Sequence, residues 1–112
     1  SKKQVLKETI FTKQAVNTVN EAMRQVIRDL SGTGHAANIE GVDLRGKTGT
    51  AEIKQSQTDT KGTENGWFVT IMPATNNKEA LELVSMTENV KKRGGSGYVV
   101  NKTKKILEEY LQ

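Results

Sequence analysis

A lysine, a threonine and a glycine stand in a row at Lys47-Thr48-Gly49, inside the stretch "GVDLRGKTGTAE" that spans residues 41–52. Together they supply what an anion-binding surface needs. The ammonium brings charge, the hydroxyl brings a directional donor, and the residue without a side chain lets a ligand approach the backbone. The same residues end a longer pattern. Gly41 to Thr48 fits G-x-x-x-x-G-K-[ST], in which successive amides cradle phosphates and the lysine reaches them. The two possibilities make opposite structural demands. A phosphate loop follows a buried strand and opens a helix at its Lys-Thr. A binding wall needs those residues on an extended strand, where a substrate backbone can lie alongside as an added strand does.

The elements that must position these residues lean towards the strand. "GHAANIE", before Gly41, lacks buried-strand character, and "SGTGHAANIEG" (31–41) reads as a loop. After Thr48 come Gly49, Thr50, Ala51, Glu52 and Ile53; the glycine disfavours a first helical turn and no helical period follows. Val42 and Leu44 alternate with polar neighbours, and Thr48, Thr50 and Ile53 are β-prone, which predicts a strand over about 42–54. Upstream, Ala15, Val16, Val19, Met23, Val26, Ile27 and Leu30 recur at steps of three and four and predict a helix over 13–31, with Thr12 as N-cap and Gly32 as stop. Residues 54–65 are a polar loop. "GWFVTIM" (66–72) is nearly continuous in apolar residues and predicts a strand covered on both faces, with Trp67 in the core. Pro73 ends it, "ALELVSMT" (80–87) is a third strand, and "NVKKRGGSG" (89–97) is a flexible connection. Val99, Val100, Thr103, Ile106, Leu107, Tyr110 and Leu111 line one side of a closing helix over about 98–111, with Lys104–Glu108 and Lys105–Glu109 as i,i+4 pairs on the other. Short connections favour antiparallel hairpins. The expected fold is α+β: an N-terminal helix, a three-stranded antiparallel sheet and a C-terminal helix, the helices covering one sheet face.

Bulk composition narrows the function. A chain of 112 residues with 4% aromatics has a thin core, so it is one domain or part of a larger one. The net charge of +4 comes from scattered cations interspersed with acids, which reads as a solvated surface and not a nucleic-acid site. Cysteine is absent, so disulfides and thiolate metal sites are excluded, and His35, the only histidine, is a poor metal candidate and better suited to a loop or packing role. Glu52 reads as a solvated strand carboxylate. No apolar run reaches the length of a membrane span, and no signal peptide is visible.

The order of blocks carries a family resemblance. A helix is followed by Gly32-Thr33-Gly34 with Ala36 and Ala37, then a loop, then Gly46-Lys47-Thr48-Gly49-Thr50-Ala51, then Gly66-Trp67-Phe68-Val69 on a strand, then another strand and a closing helix. This sequence resembles the C-terminal part of the transpeptidase domain of class B penicillin-binding proteins, across nearly all of residues 1–112. "GTAE" and "GWFV" are similar to the Gram-positive low-affinity subgroup linked to β-lactam resistance. The resemblance implies acyl transfer through a serine ester, in which a D-Ala-D-Ala stem peptide loses its last residue and an amine of a neighbouring peptidoglycan stem takes the acyl group. It implies catalytic roles for Lys47, which stabilises negative charge, and for Thr50, whose amide is half of an oxyanion hole. It implies that Thr48 binds the carboxylate of the stem peptide or of a β-lactam, and that Gly49 leaves room for that ligand. No metal or organic cofactor is implied. The parent enzyme would be membrane-anchored with its catalytic domain outside the cytoplasm.

One departure is decisive. The family's S-x-x-K and S-x-N motifs are both missing: Ser1, Ser31, Ser56, Ser85 and Ser96 have no lysine three places on and no asparagine two places on. The expected partners are therefore the remainder of the transpeptidase domain, with stem peptide and β-lactams binding the parent. The isolated piece is expected to be inactive and soluble, and prone to self-association if the 80–87 strand has an exposed edge.

Overall fold

The computed structural model describes residues 1–112. Its elements are α1 (Lys13–Arg28), β1 (Arg45–Ile53), β2 (Thr63–Met72), β3 (Leu81–Thr87) and α2 (Ser96–Leu111), with a single 3₁₀ turn at His35–Ala37. The strands form one antiparallel sheet in the order β1-β2-β3. This is the expected α+β arrangement.

α1 begins where Thr12 Oγ1 accepts from the Ala15 amide at 3.1 Å, satisfying a donor that the first turn leaves open. It stops at Arg28, short of the expected Ser31. The Asp29 carboxylate accepts from the amide and hydroxyl of Ser31 at 2.8 and 2.7 Å, a local bond that competes with helix continuation, and Leu30 is left exposed. The chain then reverses. The Gly34 amide donates to the Val26 carbonyl at 3.1 Å, and His35 Nδ1 donates to the Ile27 carbonyl at 2.8 Å. These bonds satisfy carbonyls that a helix end leaves open, and they give His35 a structural task.

β1 and β2 form a long hairpin. Ala51, Glu52 and Ile53 pair with Asn65, Glu64 and Thr63, so β2 starts before the apolar run at Gly66. Ladder hydrogen bonds do not need apolar side chains, which is why hydropathy missed this extension. The remaining loop, 54–62, is ordered by Asp59, which accepts from the amides of Lys61 at 2.8 Å, Gly62 at 3.2 Å and Gln55 at 3.2 Å. Those backbone donors, Gln55 and Lys61 foremost, hold the Asp59 carboxyl below the usual range.

Side chains alternate across the sheet. Gly46, Thr48, Gly66, Phe68, Thr70 and Met72 face the helices and are buried. The core joins Ile27 of α1, Phe68 and Met72 of β2, and Val99, Val100 and Leu107 of α2, with Leu44 and Val90 from the connections. Thr103 Oγ1 donates to Ser85 Oγ at 3.0 Å and ties α2 to β3. Both helices lie on this one face. The opposite face is open, which corrects the expectation that 66–72 is covered on both sides. Trp67 is 38% exposed, beside exposed Val84 and Met86 of β3, so it is not a core residue. The charge pairs expected on α2 do not close; the ion pairs of the chain lie elsewhere.

One contact sets the spacing between α1 and the sheet. A Cβ on Gly46 would lie 2.8 Å from Phe68 Cε1 and 3.0 Å from Ile27 Cδ1. A Cβ on Gly34 would lie 3.0 Å from Ile27 Cδ1 and 3.2 Å from Phe68 Cε1. Phe68 has 0% exposure, so its ring has nowhere to retreat. Gly46→Ala is expected to destabilise the chain by roughly 1–3 kcal/mol in urea unfolding. A loss under about 0.5 kcal/mol would mean that the ring is not confined.

Candidate active site

β1 lies at one edge of the sheet, and Lys47-Thr48-Gly49-Thr50 occupies its middle, opposite Val69, Phe68, Trp67 and Gly66 respectively. No helix starts at Lys47-Thr48, and Gly41 sits at φ +78° in the turn before the strand. The alternative phosphate-loop reading of Gly41–Thr48, already disfavoured by the sequence, is therefore excluded. An extended strand points successive amides in opposite directions, so they cannot converge on a phosphate.

The four residues alternate across the sheet. Lys47 and Gly49 lie on the open face, and Thr48 and Thr50 on the helix side. Lys47 is exposed, and its ammonium donates to the Thr48 carbonyl at 2.6 Å. Thr48 is 8% exposed, and its hydroxyl lies 2.8 Å from the hydroxyl of Thr33. Gly49 differs from Gly46. A Cβ there would meet nothing closer than Trp67 Cβ at 3.6 Å, an ordinary contact, so packing within the chain does not demand a glycine. Because β1 has no neighbour on its outer side, alternate backbone groups along it are free to pair with an added strand.

Two features escaped the sequence reading. Thr33 stands against the candidate site through its bond to Thr48; its signal was the G-T-G triplet, which carries no spacing rule that points to Thr48. The second is Asp43, at the entry to β1. Its carboxylate accepts a forked pair from Arg24 (Nε at 2.9 Å, Nη2 at 3.2 Å), a bond from Arg45 at 3.1 Å and a longer one from Arg28 at 3.5 Å. Arg24 in turn pairs with Glu21 at 2.6 Å. The available signal was two arginines one helical turn apart, with an aspartate two places before a third. The network pins α1 to the strand that carries the candidate site. Glu52 pairs with Lys54 at 2.6 Å on the exposed end of β1, away from Lys47. Asp, Glu and His side chains nowhere gather as three potential metal ligands. No helix is long and apolar enough to cross a membrane.

Residues 1–108 match the family described as the penicillin binding protein transpeptidase domain. The chain is 41% identical over 99 residues to penicillin-binding protein 3 of Bacillus subtilis, a match that covers 88% of this chain and 14% of that protein. It superposes with a TM-score of 0.59 on the apo structure of the transpeptidase domain of Burkholderia pseudomallei penicillin-binding protein 3, at 20% identity, covering 88% of this chain and 31% of that one. The chain thus spans a small part of the relatives it matches.

The Asp43 network makes stability depend on acid. The Arg24 guanidinium, helped by Arg45 and opposed by burial, holds the Asp43 carboxyl down to about 2, against an ordinary value of 3.8. A carboxyl depressed on folding contributes stability above its unfolded value and loses it as pH falls towards the folded one. Its side chain keeps 38% exposure, so solvent screening limits the contribution to about 1 kcal/mol. The stability gap between the native chain and Asp43→Asn is expected to close between about pH 5 and pH 2 in chemical unfolding. A gap that stays constant over that range would contradict the assignment.

Proposed function

The chain belongs to the penicillin-binding protein transpeptidase domain family, and on that premise we propose that it forms one wall of the acyl-transfer site of a peptidoglycan D,D-transpeptidase. The observation that carries this reading is the contrast between two glycines of one motif. Gly46 is demanded by Phe68 and Ile27, whereas the fold makes no such demand at Gly49, on the open edge strand. A bare position that packing does not require, beside an ammonium and a hydroxyl, fits a backbone laid against the strand.

In this role Lys47 supplies positive charge to the reacting centre, and Thr48 donates to the terminal carboxylate of a D-Ala-D-Ala stem peptide. The Thr50 amide contributes one donor to the oxyanion as the peptide carbonyl becomes tetrahedral. A serine from the rest of the domain would attack that carbonyl, expel the terminal D-alanine and hold the acyl group as an ester until an amine takes it. A β-lactam would acylate the same serine with its carboxylate on Thr48. The longer protein is proposed to be membrane-anchored with this domain outside the cytoplasm. No serine of this chain begins S-x-x-K or S-x-N, so the chain alone lacks the nucleophile. A fluorescent penicillin is expected to leave the 112-residue chain unlabelled. It should label a graft in which the chain replaces the matching segment of the Bacillus subtilis relative. Stable labelling of the isolated chain would show that a nucleophile is present.

The remainder of the domain is also the proposed partner of the exposed surfaces. β3 is the second edge of the sheet, and Trp67, Val84 and Met86 form an apolar strip beside it. In isolation these surfaces favour strand addition between copies. Sedimentation is expected to show association that grows with concentration, and a monomer over a hundredfold concentration range would count against it.

A further inference from the structure

The Thr33 and Thr48 hydroxyls lie 2.8 Å apart, and each is the only side-chain hydrogen-bond partner of the other. Their meeting is built by packing. Gly34 and Gly46, one residue after Thr33 and two before Thr48, both abut the Cε1 edge of Phe68 and the Cδ1 of Ile27. The turn and the strand are thereby held at a fixed separation. Thr33 is exposed and would be hydrated without this bond, whereas Thr48 is buried and has no other side-chain partner.

Proton placement gives the pair a function. Each hydroxyl has one proton to give, and only one proton can lie between the two oxygens. If Thr48 donates to Thr33, its proton is spent. If Thr33 donates to Thr48, the Thr48 proton stays free to point at a ligand. A carboxylate only accepts, so its arrival selects the second arrangement, and the resulting chain from Thr33 to Thr48 to carboxylate polarises along its length.

We propose that Thr33 is the positioning residue of the Thr48 hydroxyl: it donates to Thr48 Oγ1 and so directs the Thr48 proton towards the carboxylate of the acyl donor. This inference rests on the carboxylate-binding role proposed for Thr48. It assigns to the turn after α1 a share in choosing donors that end in a free carboxylate.

The test uses the graft of this chain into the Bacillus subtilis relative, its folding verified by a cooperative thermal transition. Acylation rates are measured with a penicillin bearing a free carboxylate and with the methyl ester of the same penicillin. Thr33→Val is expected to slow the acid by roughly threefold to tenfold while leaving the ester within about twofold, so the preference for the free acid shrinks. Thr33→Ser, which keeps the donor, should restore the preference. Equal slowing of acid and ester, no effect on either, or failure of serine to rescue would overturn the proposal. A folded graft that takes no penicillin with Thr33 in place overturns the functional reading and this inference together. One that is acylated but indifferent to Thr33 overturns this inference alone.

Discussion

The edge of one aromatic ring fills the space of two missing side chains, and the arrangement of the candidate site depends on it. Phe68, fully buried on β2, abuts Gly34 in the turn after α1 and Gly46 on β1, with Ile27 of α1 beside it. Burying such a ring stabilises the fold by about 1.5–3 kcal/mol, but its larger consequence is geometric. Segments distant in sequence meet at one rigid point, because close-packed interiors do not yield smoothly. A methyl group at either glycine would press on Phe68 and Ile27, the side chains against which both segments seat. An apolar contact therefore fixes the distance of a polar pair.

Charge reinforces what packing sets. Asp43 gathers Arg24, Arg28 and Arg45 where the chain enters β1, fixing the helix against the strand one element before Lys47. Removing any one cation leaves two, whereas removing the carboxylate leaves Arg28 and Arg45 without an acidic partner and Arg24 with Glu21 alone, so the aspartate is the sensitive member. Beyond this point β1 runs on as an edge with its outer side open. Packed on the side of Phe68 and open along its outer edge, the strand can take an added backbone, which suits the role proposed for it.

Much of this was legible in the residues. Helical periodicity and the Thr12 cap located the start of α1, and the β-prone, glycine-interrupted run expected over about 42–54 favoured an extended strand over a phosphate loop; β1 occupies Arg45–Ile53 of it. The sequence misled where hydropathy stood in for topology. "GWFVTIM" is apolar on both sides, yet only the Phe68 side is covered, and Trp67 faces outward. Leu30 kept the helical period after the Asp29 carboxylate had already turned the chain. Thr33 could not be found by spacing, since its direct bond to Thr48 depends on the packing of Gly34 and Gly46 against Phe68, a residue of a third segment. Contacts relayed through a partner leave no period in either segment they join.

The Phe68 ring occupies the space that a side chain at position 46 would need, and a double-mutant cycle measures this directly. Leucine at position 68 removes the Cε1 and Cζ atoms that a Cβ on residue 46 would meet at 2.8 and 3.2 Å. Gly46→Ala should therefore cost less in the Phe68→Leu background than in the native chain, with a coupling of at least about 1 kcal/mol in equilibrium unfolding. Additive losses, agreeing within about 0.3 kcal/mol, would contradict it and detach the turn that carries Thr33 from the strand that carries Thr48.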